Sequence, residues 1–280
     1  MSTRVNAWIF LNEDEPKGTT YDDPTSCYQT LITNNVYQAV DLLYFCFGTI
    51  LQNPDGTSTL AIGAPEHNLP YMKNILRDAP NNNQNILFGI TLEYGNGDLI
   101  NNIFSNSSIT PQQAADAFAQ NLLQYMQSFG LKAFDIDWEY PLSDQTTQEN
   151  FKLLFSAVGQ LFQQQGEPYY LTLSPADVGN LDAGTVNQYF SFINLQLYSG
   201  FTNPQEFVQA GVTSDLFAYG AKFESNYQTA QQAFDDNSKN YNYGNFTNWR
   251  LNSENFEFEQ QQQKDLYQLV ADLNAVSGAI

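Results

Sequence analysis

Thr110-Pro-Gln-Gln-Ala-Ala-Asp-Ala-Phe-Ala-Gln-Asn-Leu-Leu-Gln-Tyr-Met-Gln-Ser-Phe-Gly130 runs straight into Leu131-Lys-Ala-Phe-Asp-Ile-Asp-Trp138, a helix followed at once by a strand. Thr110 suits an N-cap, Pro111 the first helical position, and Gln113 completes a capping box. Ala114, Phe118, Leu122, Tyr125, Met126 and Phe129 form a helical stripe, and Gly130 is a natural stop. From Phe134 to Trp138 the strand that follows alternates apolar and acidic residues.

The same unit recurs in both directions. Arg4–Leu11, Val40–Ile50 and Asn85–Leu92 read as strands, the last ending in the turn Tyr94-Gly-Asn-Gly. Val40–Ile50 is the near-continuous apolar run of a strand buried on both faces. After the loop at Pro141, a second stripe of Phe151, Leu154, Phe155, Val158, Leu161 and Phe162 stops at Gly166. Tyr169–Leu173, Phe192–Tyr198, Leu216–Phe223 and Asn245–Leu251 complete eight strand candidates, with helices expected at Thr185–Tyr189, Tyr227–Asp235 and Gln260–Leu273. Repeated strand–helix units imply a parallel sheet, and eight of them at this length imply a TIM barrel, a single (β/α)8 domain over residues 1–280. An open doubly wound sheet would prefer a G-x-G-x-x-G turn after its first strand, and none is present. The segment between the last two strands leaves no room for an inserted α+β subdomain.

Composition narrows the function. Ten Lys+Arg against thirty Asp+Glu give a net charge of −20, so nucleic acids and anionic membranes are disfavoured partners. Aromatic residues make up 15% of the chain. With abundant Asn and Gln they suit neutral sugars, which stack on rings and hydrogen-bond to amides. His67 is the only histidine and is expected in a polar loop, Pro65–Pro70, which excludes the usual zinc clusters and argues against Ser-His-Asp chemistry. Cys46 reads as a small buried hydrophobe, and Cys27 carries no signal. Met1–Trp8 lacks a basic region followed by an apolar one. Sequons at Asn106 and Asn245 permit glycosylation.

Asp135, Asp137 and Glu139 share one face of an extended chain, the interior face of a barrel strand whose C-terminal end opens into the site. Crowded inward carboxylates raise at least one pKa and leave a proton donor near neutral pH. Glu139, nearest the opening, is the expected donor.

Phe134-Asp-Ile-Asp-Trp-Glu-Tyr-Pro141 resembles the fourth-strand signature of glycoside hydrolase family 18, the chitinases and endo-β-N-acetylglucosaminidases, written D-G-x-D-x-D-x-E. Asp41–Phe47, Leu195–Tyr198 and Asn248–Leu251 resemble the family's second, sixth and eighth strands. The resemblance implies substrate-assisted catalysis. Glu139 is then the acid and base, Asp137 orients the substrate acetamide, Asp135 shares a proton with Asp137, and Tyr198 donates to the acetamide oxygen. Gln196 lines that pocket, Trp249 floors the sugar, and Phe47 lies near it. Trp8, Tyr44, Glu93 and Glu224 are expected near strand ends as structural or subsite residues.

The implied activity is a retaining endo-hydrolysis of β-1,4-linked N-acetylglucosamine. The alternatives are an endo-β-N-acetylglucosaminidase cutting the chitobiose core of N-glycans, and a catalytically silent lectin. The implied partner is a GlcNAc-containing oligosaccharide or glycoprotein glycan, with no metal or organic cofactor, a monomeric state and, from the substrate class, an extracellular setting. Departures from the pattern are Lys132 and Ala133 in the signature, a third strand Phe88–Gly95 without Ser-x-Gly-Gly, and Ser199 after the sixth-strand Tyr. A lysine near Asp135 is expected to favour its ionised form and shift the pH optimum.

Overall fold

The computed structural model describes residues 3–14 and 17–277, so Met1 and Ser2 of the N-terminal reading lie outside the described residues. In chain order its elements are β1 (Arg4–Phe10), α1 (Cys27–Thr33), β2 (Leu42–Gln52), β3 (Ser58–Ile62), α2 (Pro65–Asn82), β4 (Leu87–Leu92), α3 (Leu99–Ile103), α4 (Pro111–Phe129), β5 (Ala133–Trp138), α5 (Leu142–Gln145) and α6 (Gln148–Gln163). The second half continues with β6 (Tyr170–Pro175), α7 (Ala183–Tyr189), β7 (Phe192–Leu195), α8 (Pro204–Gln209), β8 (Phe217–Lys222), α9 (Ala230–Asp236), β9 (Asn245–Trp249) and α10 (Phe256–Ser277).

The chain forms two compact units. One comprises residues 1–46, 64–88 and 218–280, and the other residues 47–63 and 89–217. In the first, β1 pairs in parallel with β2, from Asn6↔Leu42 to Phe10↔Cys46, and with β9, from Arg4↔Asn245 to Ala7↔Asn248. β9 pairs in turn with β8. In the second, β4, β5, β6 and β7 follow one another in parallel, while the outer half of β2 folds back antiparallel on β3. Parallel strands alternating with helices give the (β/α)8 barrel class that the periodicity predicts, and every strand read from the sequence is a strand. β3 is an addition that sequence reading did not find.

The helix that decided the reading is built as its residues require. Thr110 Oγ1 accepts from Gln113 N at 3.2 Å, and Gln113 Oε1 accepts from Thr110 N at 2.8 Å. Gly130 closes α4 at φ +68°, a conformation that costs glycine little. Ala114, Ala115, Phe118, Ala119, Leu122, Leu123 and Met126 are its buried face. Tyr125 and Phe129 lie at the edge of that stripe, the Tyr125 hydroxyl accepting from Ile62 N at 3.0 Å.

Two expectations are corrected. Pro65–Pro70 is not a loop but the start of α2, with Pro65 in the first turn, where a missing N–H costs nothing. Pro70 and Pro80 lie inside that helix, and burial of Asn68, Met72, Ile75 and Ala79 on one face outweighs the lost bonds. His67 stacks on Tyr71 there, ring centres 5.0 Å apart. Phe192–Tyr198 is strand only to Leu195, and Tyr198 sits in a single 3-10 turn, Leu197–Ser199. At the two sequons, Asn106 Nδ2 donates to the Gly56 carbonyl at 3.2 Å and Asn245 Oδ1 accepts from Arg4 N at 3.1 Å. No helix among the described residues is long and apolar enough to cross a membrane.

Candidate active site

Every residue of β5 is buried, yet two of its six are aspartates. The sheet register explains how that is possible. Thr91 of β4 pairs with Asp135, and Asp135 with Thr172 of β6, so two threonines flank the carboxylate directly. Ser174, two residues along the same face of β6, completes the set. Thr172 Oγ1 donates to Asp135 Oδ1 at 2.7 Å, while Ser174 Oγ and Thr91 Oγ1 donate to Oδ2 at 2.8 and 3.0 Å. Burial nevertheless pushes Asp135 up to about 6, against the downward pull of those hydroxyls.

Asp137 follows two residues on. Its Oδ1 accepts from Gln196 Nε2 at 3.1 Å, and the same nitrogen donates to Glu139 Oε1 at 2.7 Å and to the Ser174 carbonyl at 3.1 Å. Tyr198 donates its hydroxyl to Gln196 Oε1 at 3.3 Å. Burial, the charge of Glu139 and a hydrogen bond with Glu139 hold Asp137 well above the usual carboxylate range, with Asp135 adding to the effect. Glu139 lies just past the strand end and is half-buried. A proton held between a buried carboxyl and a half-open one can be delivered to an oxygen bound at the strand end and taken back.

Asp135, Asp137, Glu139, Gln196 and Tyr198 are thus brought into one hydrogen-bonded cluster. Phe47 is half-buried on the outer half of β2, its carbonyl accepting from Gly63 N at 2.9 Å. In the other unit, Trp249 ends β9 half-buried, its ring centre 6.2 Å from that of Trp8, which stacks on Tyr44 at 5.2 Å.

Other residues of the site escaped the sequence reading. Tyr94, past the end of β4, has its hydroxyl pKa raised by burial and by the charges of Glu139 and Asp137. Asp177, past β6, is raised by burial, and Glu139 and Asp144 push it further, against a hydrogen bond from Ser143. Thr172 and Ser174 did carry a signal: hydroxyls at alternate positions of an otherwise apolar strand. Among the described residues no group of three or more His, Cys, Asp or Glu could hold a metal ion.

The model of the glycosyl hydrolases family 18 matches residues 18–267. The chain belongs to glycosyl hydrolase family 18. Among solved structures, a plant class V chitinase mutant from Cycas revoluta in complex with (GlcNAc)3 superposes with TM-score 0.67 at 12% identity, over 95% of this chain and all of that one. A family 18 chitinase from the chitin utilization locus of Flavobacterium johnsoniae gives 0.66 at 14%, over 97% and 95%. A chitinase-like agglutinin from Robinia pseudoacacia gives 0.67 at 12%, over 94% and 99%. These likenesses concern the fold.

Two departures from the family 18 pattern acquire a physical account. Lys132 does not reach Asp135, because period 2 places it on the opposite face of the strand. Its Nζ pairs with Glu167 at 2.6 Å and lies 4.9 Å from the Tyr169 ring centre, which overturns the expected effect on Asp135. Ser199 closes its loop, Oγ accepting from the N–H groups of Phe201 and Thr202 at 3.1 and 3.2 Å.

Proposed function

We propose that this family 18 chain is a retaining endo-hydrolase of β-1,4-linked N-acetylglucosamine in chitin-like oligomers. The observation that carries the reading is the single amide of Gln196 donating to both Asp137 and Glu139, one of them buried and proton-holding, the other half-open. Glu139 protonates the glycosidic oxygen while the substrate's acetamide carbonyl attacks the anomeric carbon, so the C–O bond breaks as an oxazolinium ring closes. Asp137, its proton shared with Asp135, accepts the acetamide N–H and balances the developing positive charge. Tyr198, whose hydroxyl already points at Gln196, turns to the acetamide oxygen and holds it for attack. Glu139 then draws a proton from water, which opens the ring with retention. Trp249 and Phe47 supply apolar faces to sugar rings.

The shared fold also houses an agglutinin, so fold similarity alone leaves a silent lectin open. The presence of both Asp137 and Glu139 in one cluster favours the enzyme. The test is hydrolysis of chitotetraose beside a high-mannose glycoprotein, with Glu139→Gln as control. Cleavage of the oligomer, abolished in the variant, is the expected result. Release of the glycan with one GlcNAc left on the protein transfers the assignment to an endo-β-N-acetylglucosaminidase. Binding of chitotetraose without any cleavage between pH 4 and 8 transfers it to a lectin.

A further inference from the structure

Around the ends of β1, β8 and β9 runs a ladder of charges that the functional reading leaves unused. Arg250, immediately after β9, pairs through Nη1 with Glu13 and through Nη2 with Glu224 at 3.3 Å. Glu13 lies 3.7 Å from Lys17 Nζ, and Glu224 lies 3.4 Å from Lys222 Nζ. The order Lys17, Glu13, Arg250, Glu224, Lys222 alternates in sign throughout. The guanidinium carbon also lies 5.2 Å from the centre of the Phe10 ring and 5.7 Å from that of Trp249.

This arrangement suits arginine specifically. A planar guanidinium serves two carboxylates along its edge and still gives its faces to aromatic rings, whereas an ammonium is a point charge. The Arg250 side chain is only 14% exposed, and its Nε is buried with no hydrogen-bond partner. Its place is therefore set by the Nη contacts to the two acids and by the rings. A ring braced in this way loses less freedom when a ligand stacks on it.

We propose that Arg250, fixed between Glu13 and Glu224, is a positioning residue that braces the Trp249 ring for stacking on a sugar. The inference rests on the reading of Trp249 as a sugar platform, and it assigns Arg250 a role exerted through that ring.

The test is a binding cycle in a Glu139→Gln background, where chitotetraose is not turned over. Calorimetric Kd values are compared for that parent, Trp249→Ala, Arg250→Lys and the pair combined, with Glu224→Gln as a second way to loosen the brace. Arg250→Lys weakens chitotetraose binding by about 3- to 30-fold, the range a partly desolvated cation–π contact supplies. Added to Trp249→Ala it costs nothing more, because a residue acting only through the ring has nothing left to position. Glu224→Gln weakens binding in the same direction and reports on the brace should Arg250→Lys fold poorly. Parental affinity in Arg250→Lys and Glu224→Gln, or losses that add in full to that of Trp249→Ala, overturns the proposal while leaving the platform in place. Unchanged binding in Trp249→Ala overturns the platform and the brace together. A folded parent that binds no chitotetraose overturns the functional reading on which both stand.

Discussion

Gln196 Nε2 lies 2.7 Å from Glu139 Oε1 and 3.1 Å from Asp137 Oδ1, so one uncharged amide holds two acids together. Its donation stabilises ionised carboxyl groups and pulls Asp137 down against burial and the Glu139 charge. Gln196→Met keeps the volume and removes the donor. The limb of the kcat–pH profile on chitotetraose that Asp137 governs is then expected to move up, since Asp137 holds its proton more tightly. The rate at the optimum should fall by about 10- to 100-fold, the worth of a hydrogen bond to a charged group. Tyr94 and Asp177 also face Glu139 and stay in place, so they do not confound the comparison. A lower rate with the Asp137 limb unmoved would show that Gln196 touches only the substrate.

Asp135 makes stability depend on pH in a definite direction. Its folded pKa of about 6 lies above the unfolded value of about 3.9, so the folded state keeps the proton longer. The stability it contributes is fully present below about pH 4 and is lost as the pH rises through about 6. Asp135→Asn removes that dependence. Relative to the parent the variant should gain up to about 3 kcal/mol between pH 4 and 7, read from urea midpoints at each pH. A difference that stays constant over this range would refute the assignment.

Lys132 is the departure that most invited a functional reading, and its position makes it harmless. Lys132→Gln breaks a partly exposed pair with Glu167 and should cost about 1 kcal/mol or less. The pH optimum should not move. A shifted optimum would mean that the lysine charge reaches Asp135 after all.

Gly159 on α6 shows where packing forbids a methyl group. A Cβ there would lie 2.4 Å from the Tyr189 Cβ and 2.5 Å from its Cγ. Tyr189 is also held by Gln160, whose Nε2 donates to its hydroxyl at 3.0 Å. Gly159→Ala should therefore destabilise by about 1–3 kcal/mol. Gly97→Ala meets only the end of the Gln145 side chain, which can swing away, and serves as the mild control. Equal midpoints for the two variants in urea would contradict this account.

The alternation of strand and helix was legible because its signals are local. Thr110, Gln113 and Gly130 cap α4 within one chain segment, and Asp135, Asp137 and Glu139 share a face by period 2 alone. Misreadings came where distant residues decide. Pro65 and Pro70 look like a break until Met72, Ile75 and Ala79 are seen buried along one face of α2. Tyr198 looks like strand because Phe192–Leu195 is strand, yet the chain turns at Gln196, and that turn lets the amide meet both acids.

By itself, then, the sequence determined the fold class and the line of carboxylates, since periodicity and capping depend on neighbours a few positions away. Only the tertiary structure decided how those carboxylates are kept. The register of β4, β5 and β6 sets Thr91, Thr172 and Ser174 around Asp135, and a turn after β7 brings Gln196 to Asp137 and Glu139. Those partners stand 37 to 59 positions away in the chain, where no local pattern links them. The proton they govern depends on burial and on hydrogen bonds from neighbouring strands, which exist only once the sheet has formed.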